Sequence, residues 1–170
     1  MHMNMRDFVG KQRVAHYELQ IDAAALIRNN ASARSASAFV ASADVAGEPD
    51  SVALTGHMQG EVTLVCSRCL DTFAYPMSFT FVERLASGEP NEDEPMSEEQ
   101  TVHVVTEDRV ELLPYFEENF QLKLPLFPLC DEHCKGLCPS CGINRNSADC
   151  GCASEQLDPR WSDLQKLLKP

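Results

Sequence analysis

The spacing of the cysteines constrains this chain more than any other feature. Eight of them fall as Cys66-x2-Cys69, then Cys130-x3-Cys134-x3-Cys138-x2-Cys141-x8-Cys150-x-Cys152. Thiols two or three residues apart can turn both sulfurs toward one ion. Four thiolates close a tetrahedral shell around zinc, the arrangement of a structural site. Eight thiols suffice for two such sites. Cys138-Pro139-Ser140-Cys141-Gly142 has the form of a zinc knuckle, with proline stiffening the turn and glycine permitting a positive φ after it.

The eight divide most economically into a local set and a long-range set. Cys138, Cys141, Cys150 and Cys152 lie in one short loop, so their closure costs little entropy. Cys66 and Cys69 would then meet Cys130 and Cys134, fastening the C-terminal part of the chain to whatever carries residues 66–69. Two other divisions remain open at this point: Cys66 and Cys69 with Cys138 and Cys141, or His133 in place of a cysteine.

Disulfides fit poorly. Eight cysteines in 170 residues is about 5%, below the roughly 8–10% of a disulfide scaffold. Met1–Gly10 has no apolar core of a secretory signal, and no apolar run approaches the roughly 18 residues of a membrane helix. The expectation is a cytoplasmic protein with reduced thiols. Met1 and His2 are given no structural role.

The pattern also argues against an enzyme. The histidines at 2, 16, 57, 103 and 133 form no i,i+4 pair. The chain has no nucleophile elbow, P-loop or dinucleotide fingerprint. Cys138-Pro139-Ser140-Cys141 carries its proline after the first cysteine, where a zinc deaminase needs Pro-Cys-x-x-Cys, so that reading is rejected. His57 reads as a surface residue. With all eight metal ligands able to be thiolates, both sites are closed, and no small-molecule substrate is expected.

Hydrophobic periodicity supplies the frame. Val52, Leu54, Met58, Val62, Leu64 and Cys66 share one parity, and Phe73, Tyr75, Met77, Phe79 and Phe81 share another run. This is a long hairpin with Cys66 and Cys69 at its tip. Gly56 and Gly60 suggest a bulge, and Pro76 suggests an edge strand. Residues 14–22 and 36–46 read as strands, 23–35 as a helical turn or loop, and Thr101–Thr106 as a short strand. Leu112, Leu113, Phe116, Phe120 and Leu124 have helical spacing, placing a helix near 109–124 with Asp108 as its cap. Asp158-Pro159 opens a short terminal helix with Trp161, Leu164, Leu167 and Leu168 as its apolar stripe. The expected fold is α+β: a predominantly antiparallel sheet with a long hairpin, that helix, and a zinc-bound C-terminal segment. One domain covers 1–170, with an acidic mobile loop at 86–100 and the metal segment at 130–152 joined to the sheet through 66–69.

Net charge is −12, and most of it sits between Glu83 and Glu118. Two closed thiolate sites would deepen it to about −16. Such a balance disfavours a whole-protein electrostatic grip on nucleic acid. Lys135, Arg145, Arg160, Lys166 and Lys169 are the candidates for a local one. The charge favours a basic protein partner.

Specific motifs now point to a family. Val-x-Leu-x-Cys66-x-Arg-Cys69-Leu, the run from Leu124 through Cys130, Cys134, Cys138 and Cys141 to Asn144, and Cys150-x-Cys152 before Asp158-Pro159-Arg160-Trp161 resemble the YceD family. The resemblance covers roughly 50–170. Asn144-Arg145-Asn146 departs from it, since relatives usually carry leucine between the asparagines. The resemblance implies a non-enzymatic, cytoplasmic bacterial protein supporting accumulation of 23S rRNA. It implies a large-subunit rRNA precursor as partner, while the acidic 83–118 segment points to a basic ribosomal protein beside it or in its place, and no membrane is expected. The alternative is a general zinc-ribbon module for nucleic acid or protein, as in transcription.

Overall fold

A computed structural model describes residues 1–88 and 102–152. In chain order the elements are β1 (His2–Asn4), a 3-10 turn over Met5–Asp7, β2 (Val14–Ile21), α1 (Ala23–Ile27), β3 (Ala33–Ala36), β4 (Phe39–Gly47), β5 (Ser51–Val65), β6 (Thr72–Ser87), β7 (Val102–Val105), β8 (Arg109–Glu111) and α2 (Leu113–Lys123). The fold is α+β. Its main sheet has the order β2-β4-β5-β6-β7, with β3 also paired to β5. All pairs are antiparallel except β6–β7, which is parallel.

The long hairpin dominates. β5 and β6 pair without interruption from Ser51↔Ala86 to Val65↔Thr72. Strict alternation explains this length: Val52, Leu54, Met58, Val62 and Leu64 are buried, while His57, Gln59 and Glu61 face water. No bulge occurs at Gly56 or Gly60, contrary to the sequence expectation. These glycines make room for rings. A Cβ on Gly56 would strike the Phe81 ring, and one on Gly60 would lie 2.6 Å from Phe39 Cδ1. Phe81 and Phe39 then reach α2, meeting Phe116 and Phe120 edge-on at centroid distances of 4.9 and 5.4 Å.

Among the described residues only β7 pairs with the second edge of β6, along Arg84 to Ser87, and no strand lies beside Pro76 there. Its missing N–H therefore costs no ladder bond. The acidic stretch expected from residue 86 begins later, since Ala86 and Ser87 still pair within β6. Gly88 follows, its N–H donating to the Val105 carbonyl at 3.2 Å, and residues 89–100 lie outside the described residues, as does the expected terminal helix at 158–168.

Two expectations about chain ends fail for one reason. Residues 109–111 are not helical but form β8, which pairs with β1. Met1 and His2 therefore do have a structural role. The Met1 carbonyl accepts from the Leu112 N–H at 3.0 Å, and β1 delivers Met3 and the following Met5 to the core. Asp108 caps nothing: its carboxylate pairs with Arg6 at 2.5 Å, and its carbonyl accepts from the Met5 N–H. α2 starts at Leu113 without a side-chain cap and tolerates Pro114 in its first turn.

Leu112, Phe116, Phe120 and Leu124 press one stripe of α2 into the inner face of the sheet. Gln121 Nε2 donates to the Leu26 carbonyl at 2.5 Å, fixing α2 against α1. Buried Glu83 accepts from Asn119 Nδ2 at 2.7 Å and lies 3.1 Å from His103 Nε2. That cluster joins β6, β7 and α2 without leaving a buried carboxylate unpartnered. Beyond α2 the chain reaches the hairpin tip, where the Pro128 carbonyl accepts from the Ser67 N–H at 2.8 Å.

Candidate metal centre

The hairpin tip, residues 66–71, closes on itself. The Leu70 N–H donates to the Cys66 carbonyl at 3.0 Å, and the Cys66 N–H to the Asp71 carbonyl at 2.8 Å. A second turn repeats the scheme. The Gly142 N–H donates to the Cys138 carbonyl at 2.8 Å, and the Cys138 N–H to the Ile143 carbonyl at 2.8 Å. Both turns need a left-handed residue after the second cysteine. Gly142 supplies it at φ 75°, Leu70 at φ 62°. Both backbones thus hold two sulfurs on one side.

The eight cysteines gather as two groups: Cys66, Cys69, Cys130 and Cys134, and Cys138, Cys141, Cys150 and Cys152. Within each, all four sulfurs lie within 4.8 Å of one another. Cys66 Sγ is 3.8 Å from Cys134 Sγ, and Cys69 Sγ is 3.6 Å from Cys130 Sγ. A tetrahedron of four sulfurs about 2.3 Å from zinc has edges of ~3.8 Å, whereas a disulfide needs about 2.05 Å. All eight thiols are free. The donor sets therefore suit zinc, and in kind they suit a closed, structural ion. His133 stands outside both groups, its N–H donating to Asp131 Oδ1 at 2.7 Å.

The first group is a junction. Cys66, Cys69 and Cys134 are buried, with Phe73 and Leu129 packed against them. Backbone bonds stitch the tip to the later segment: Ser67 N–H to the Pro128 carbonyl at 2.8 Å and Leu137 N–H to the Arg68 carbonyl at 3.0 Å. Arg68 Nη1 adds a bond to the Cys134 carbonyl at 2.9 Å. The second group is largely solvent-facing, with Cys141 and Cys152 exposed and only Cys138 buried.

The turns bias which thiol ionises first. Burial pushes the Cys66 thiol up, but N–H groups of Cys130, Cys69 and Arg68 outweigh it and bring it down to about 6. Cys138 is likewise lowered to about 6, chiefly by the N–H groups of Cys141 and Ser140. Burial raises Cys69, and hydrogen bonds to Cys141 and Cys150 raise Cys152 to about 12. In each group the leading cysteine is poised as thiolate, the form a metal ion takes first.

Two asparagines do work the sequence did not reveal. Asn146 Nδ2 donates to Cys134 Sγ at 3.2 Å, and its Oδ1 accepts from the Lys135 N–H at 2.7 Å. The loop of the second group thus supports a sulfur of the first. Asn144 Nδ2 donates to Asp71 Oδ2 at 2.6 Å. Arg145, the residue that departs from the family pattern, lies between these two asparagines and makes a loop contact, its N–H donating to the Gly136 carbonyl at 2.9 Å.

Among the five candidate cations, Lys135 and Arg145 are exposed and adjacent, since the Arg145 N–H donates to the Gly136 carbonyl at 2.9 Å. Arg68, beside them, was not singled out from the sequence. Arg160, Lys166 and Lys169 lie outside the described residues.

An α+β body carrying two four-cysteine groups of the structural-metal kind is the class these features define. The family model for the large ribosomal RNA subunit accumulation protein YceD matches residues 54–168. The chain belongs to the YceD family. An uncharacterized protein of Mycobacterium tuberculosis is 32% identical over 121 residues, 71% of this chain and 58% of that relative. An uncharacterized Bacillus subtilis protein is 30% identical over 113 residues, 66% of this chain and 63% of its own length. The chloroplastic large ribosomal RNA subunit accumulation protein YCED homolog 1 of Arabidopsis thaliana is 24% identical over 151 residues, covering 74% of this chain and 47% of the relative. The matches thus span about half to two thirds of the relatives' lengths. No solved structure matches the chain.

Proposed function

We propose that this protein is a non-enzymatic zinc-binding factor that supports accumulation of 23S rRNA during assembly of the large ribosomal subunit or processing of its precursor. The observation that carries the metal half is the gathering of two four-sulfur groups at tetrahedral spacing. The rRNA half rests on family membership. All eight cysteines are the proposed ligands, four to each zinc. A closed thiolate shell leaves no coordination position for substrate or water, so the metal's part is to hold shape. Segment 130–152 acts as part of one folded unit with the sheet, through residues 66–69.

Such a unit works by presenting a rigid surface. Lys135 and Arg145 are its proposed contacts with a large-subunit rRNA precursor, joined by Arg160, Lys166 and Lys169. A net charge of −12 makes a basic ribosomal protein the favoured direct partner, since like charge opposes an extended phosphate contact. A cytoplasmic location accords with this reading. Among the described residues no helix is long and apolar enough to cross a membrane.

Gradient sedimentation of native lysate tests the proposal, with fractions probed for the protein and for immature 23S rRNA. Salt-sensitive co-migration with large-subunit precursors is expected. Migration only as free protein, with 23S rRNA unchanged on depletion, removes the rRNA role. Metal analysis of purified protein is expected to find two zinc ions per chain, and one or none would remove a site.

A further inference from the structure

The end of α2 and the chain just after it expose three large apolar side chains. Leu122 is 74% exposed, Leu126 89% and Phe127 79%. Lone exposed apolar residues are ordinary, but three within six positions concentrate apolar surface in one stretch of the chain. Their place is fixed. Leu122 sits on α2, Pro125 and Pro128 bracket the other two, and the Pro128 carbonyl accepts from the Ser67 N–H at 2.8 Å.

We propose that this patch is the docking site of the chain's own C-terminal segment, residues 158–168, seated through Trp161, Leu164 and Leu168. Three features of the chain select this occupant. The segment has an apolar stripe at helical spacing and needs an apolar surface to bury it. It is also within reach. Cys152 belongs to the same sulfur group as Cys138, and two backbone hydrogen bonds, Leu137 to Arg68 and Ser67 to Pro128, lead from there to Phe127. That path is on the order of 20 Å. Residues 153–157 span up to about 17 Å extended, and an 11-residue helix adds ~16 Å. Charge agrees as well. Glu118, one turn before Leu122 on α2, is exposed and has no ion pair among the described residues, and the segment carries Arg160, Lys166 and Lys169.

Trp161 is the sole tryptophan, so its fluorescence reports docking directly in the full-length, zinc-loaded protein. Wild type is expected to show blue-shifted emission with weak acrylamide quenching. Leu126→Ser/Phe127→Ser is expected to red-shift the emission and raise quenching several-fold while sheet circular dichroism and zinc content stay unchanged. A solvent-exposed Trp161 in wild type overturns the proposal, and so does shielding that survives the double substitution. Shielding that disappears on dilution also overturns it, since a second copy would then be the occupant. NMR contacts between the Trp161 indole and the Phe127 ring in wild type give the same answer without a variant: their presence supports docking, their absence refutes it.

Discussion

The two cysteine groups share one turn geometry and differ in nearly everything around it. The first joins segments more than 60 residues apart, with Cys66 to Cys134 separated by 68 positions. It is walled by Phe73 and Leu129 and tied by backbone bonds on both sides. The second closes within 15 residues of chain, from Cys138 to Cys152, and faces water. The turn chemistry is local and can be repeated anywhere. The stability of a site comes from what packs against it, because a hydrophobic shell controls access of solvent and competing ligands. The same ligand chemistry should therefore serve as a fold-determining clamp in one place and an exchangeable clasp in the other.

Single substitutions should expose this difference most strongly. Cys134→Ser leaves three thiols around a buried vacancy and frees the C-terminal segment from the hairpin tip. It is expected to lower unfolding free energy by several kcal/mol, because metal binding is linked to folding. Cys152→Ser should remove one zinc and leave the thermal transition of the sheet nearly in place. Equal losses of Tm in the two variants would erase the distinction. Chelation is the next test. Zinc release followed with a chromogenic chelator should be biphasic, one equivalent leaving about tenfold or more faster than the other. Cys152→Ser should abolish the fast phase. A single phase carrying both ions would mean that the groups behave as one cluster.

Asn146 offers a finer probe, since it belongs to the second loop by sequence and to the first group by contact. Asn146→Ala should cost ~1–2 kcal/mol, the range for losing a hydrogen bond to a charged sulfur together with one to an exposed backbone N–H. It should speed the slow phase of zinc release more than the fast one. The opposite order would show that Asn146 serves its own loop. Smallest is the exchange at the left-handed positions. Leu70 is 62% exposed, so Leu70→Gly gives up little burial and relieves a left-handed strain. A gain of about 1 kcal/mol in denaturant unfolding is expected. Gly142→Ala should lose a similar amount and weaken only the second site. A loss of stability in Leu70→Gly would show that its side chain contributes packing that outweighs the strain.

The length and placing of the hairpin were legible because period-two alternation is a local signal, and β5 and β6 obey it for 15 and 16 residues. The glycines at 56 and 60 were misread for lack of their partners. Their reason is the rings of Phe81 and Phe39, and a ring packed across a strand leaves no mark in the flanking residues. The start of α2 was misplaced because Asp108 looks like a cap, while β8 exists only through its pairing with β1 about a hundred residues away.

The sequence by itself determined that eight thiols suffice for two four-sulfur sets and that a strand hairpin carries one pair of them. Spacing governs which sulfurs a turn can orient, and alternation governs which face is buried. Only the tertiary structure decided that three cysteines of one group are buried while the other group is largely exposed, and that Asn146 crosses from one to the other. Burial is a property of what the rest of the chain brings alongside, and no local pattern encodes it.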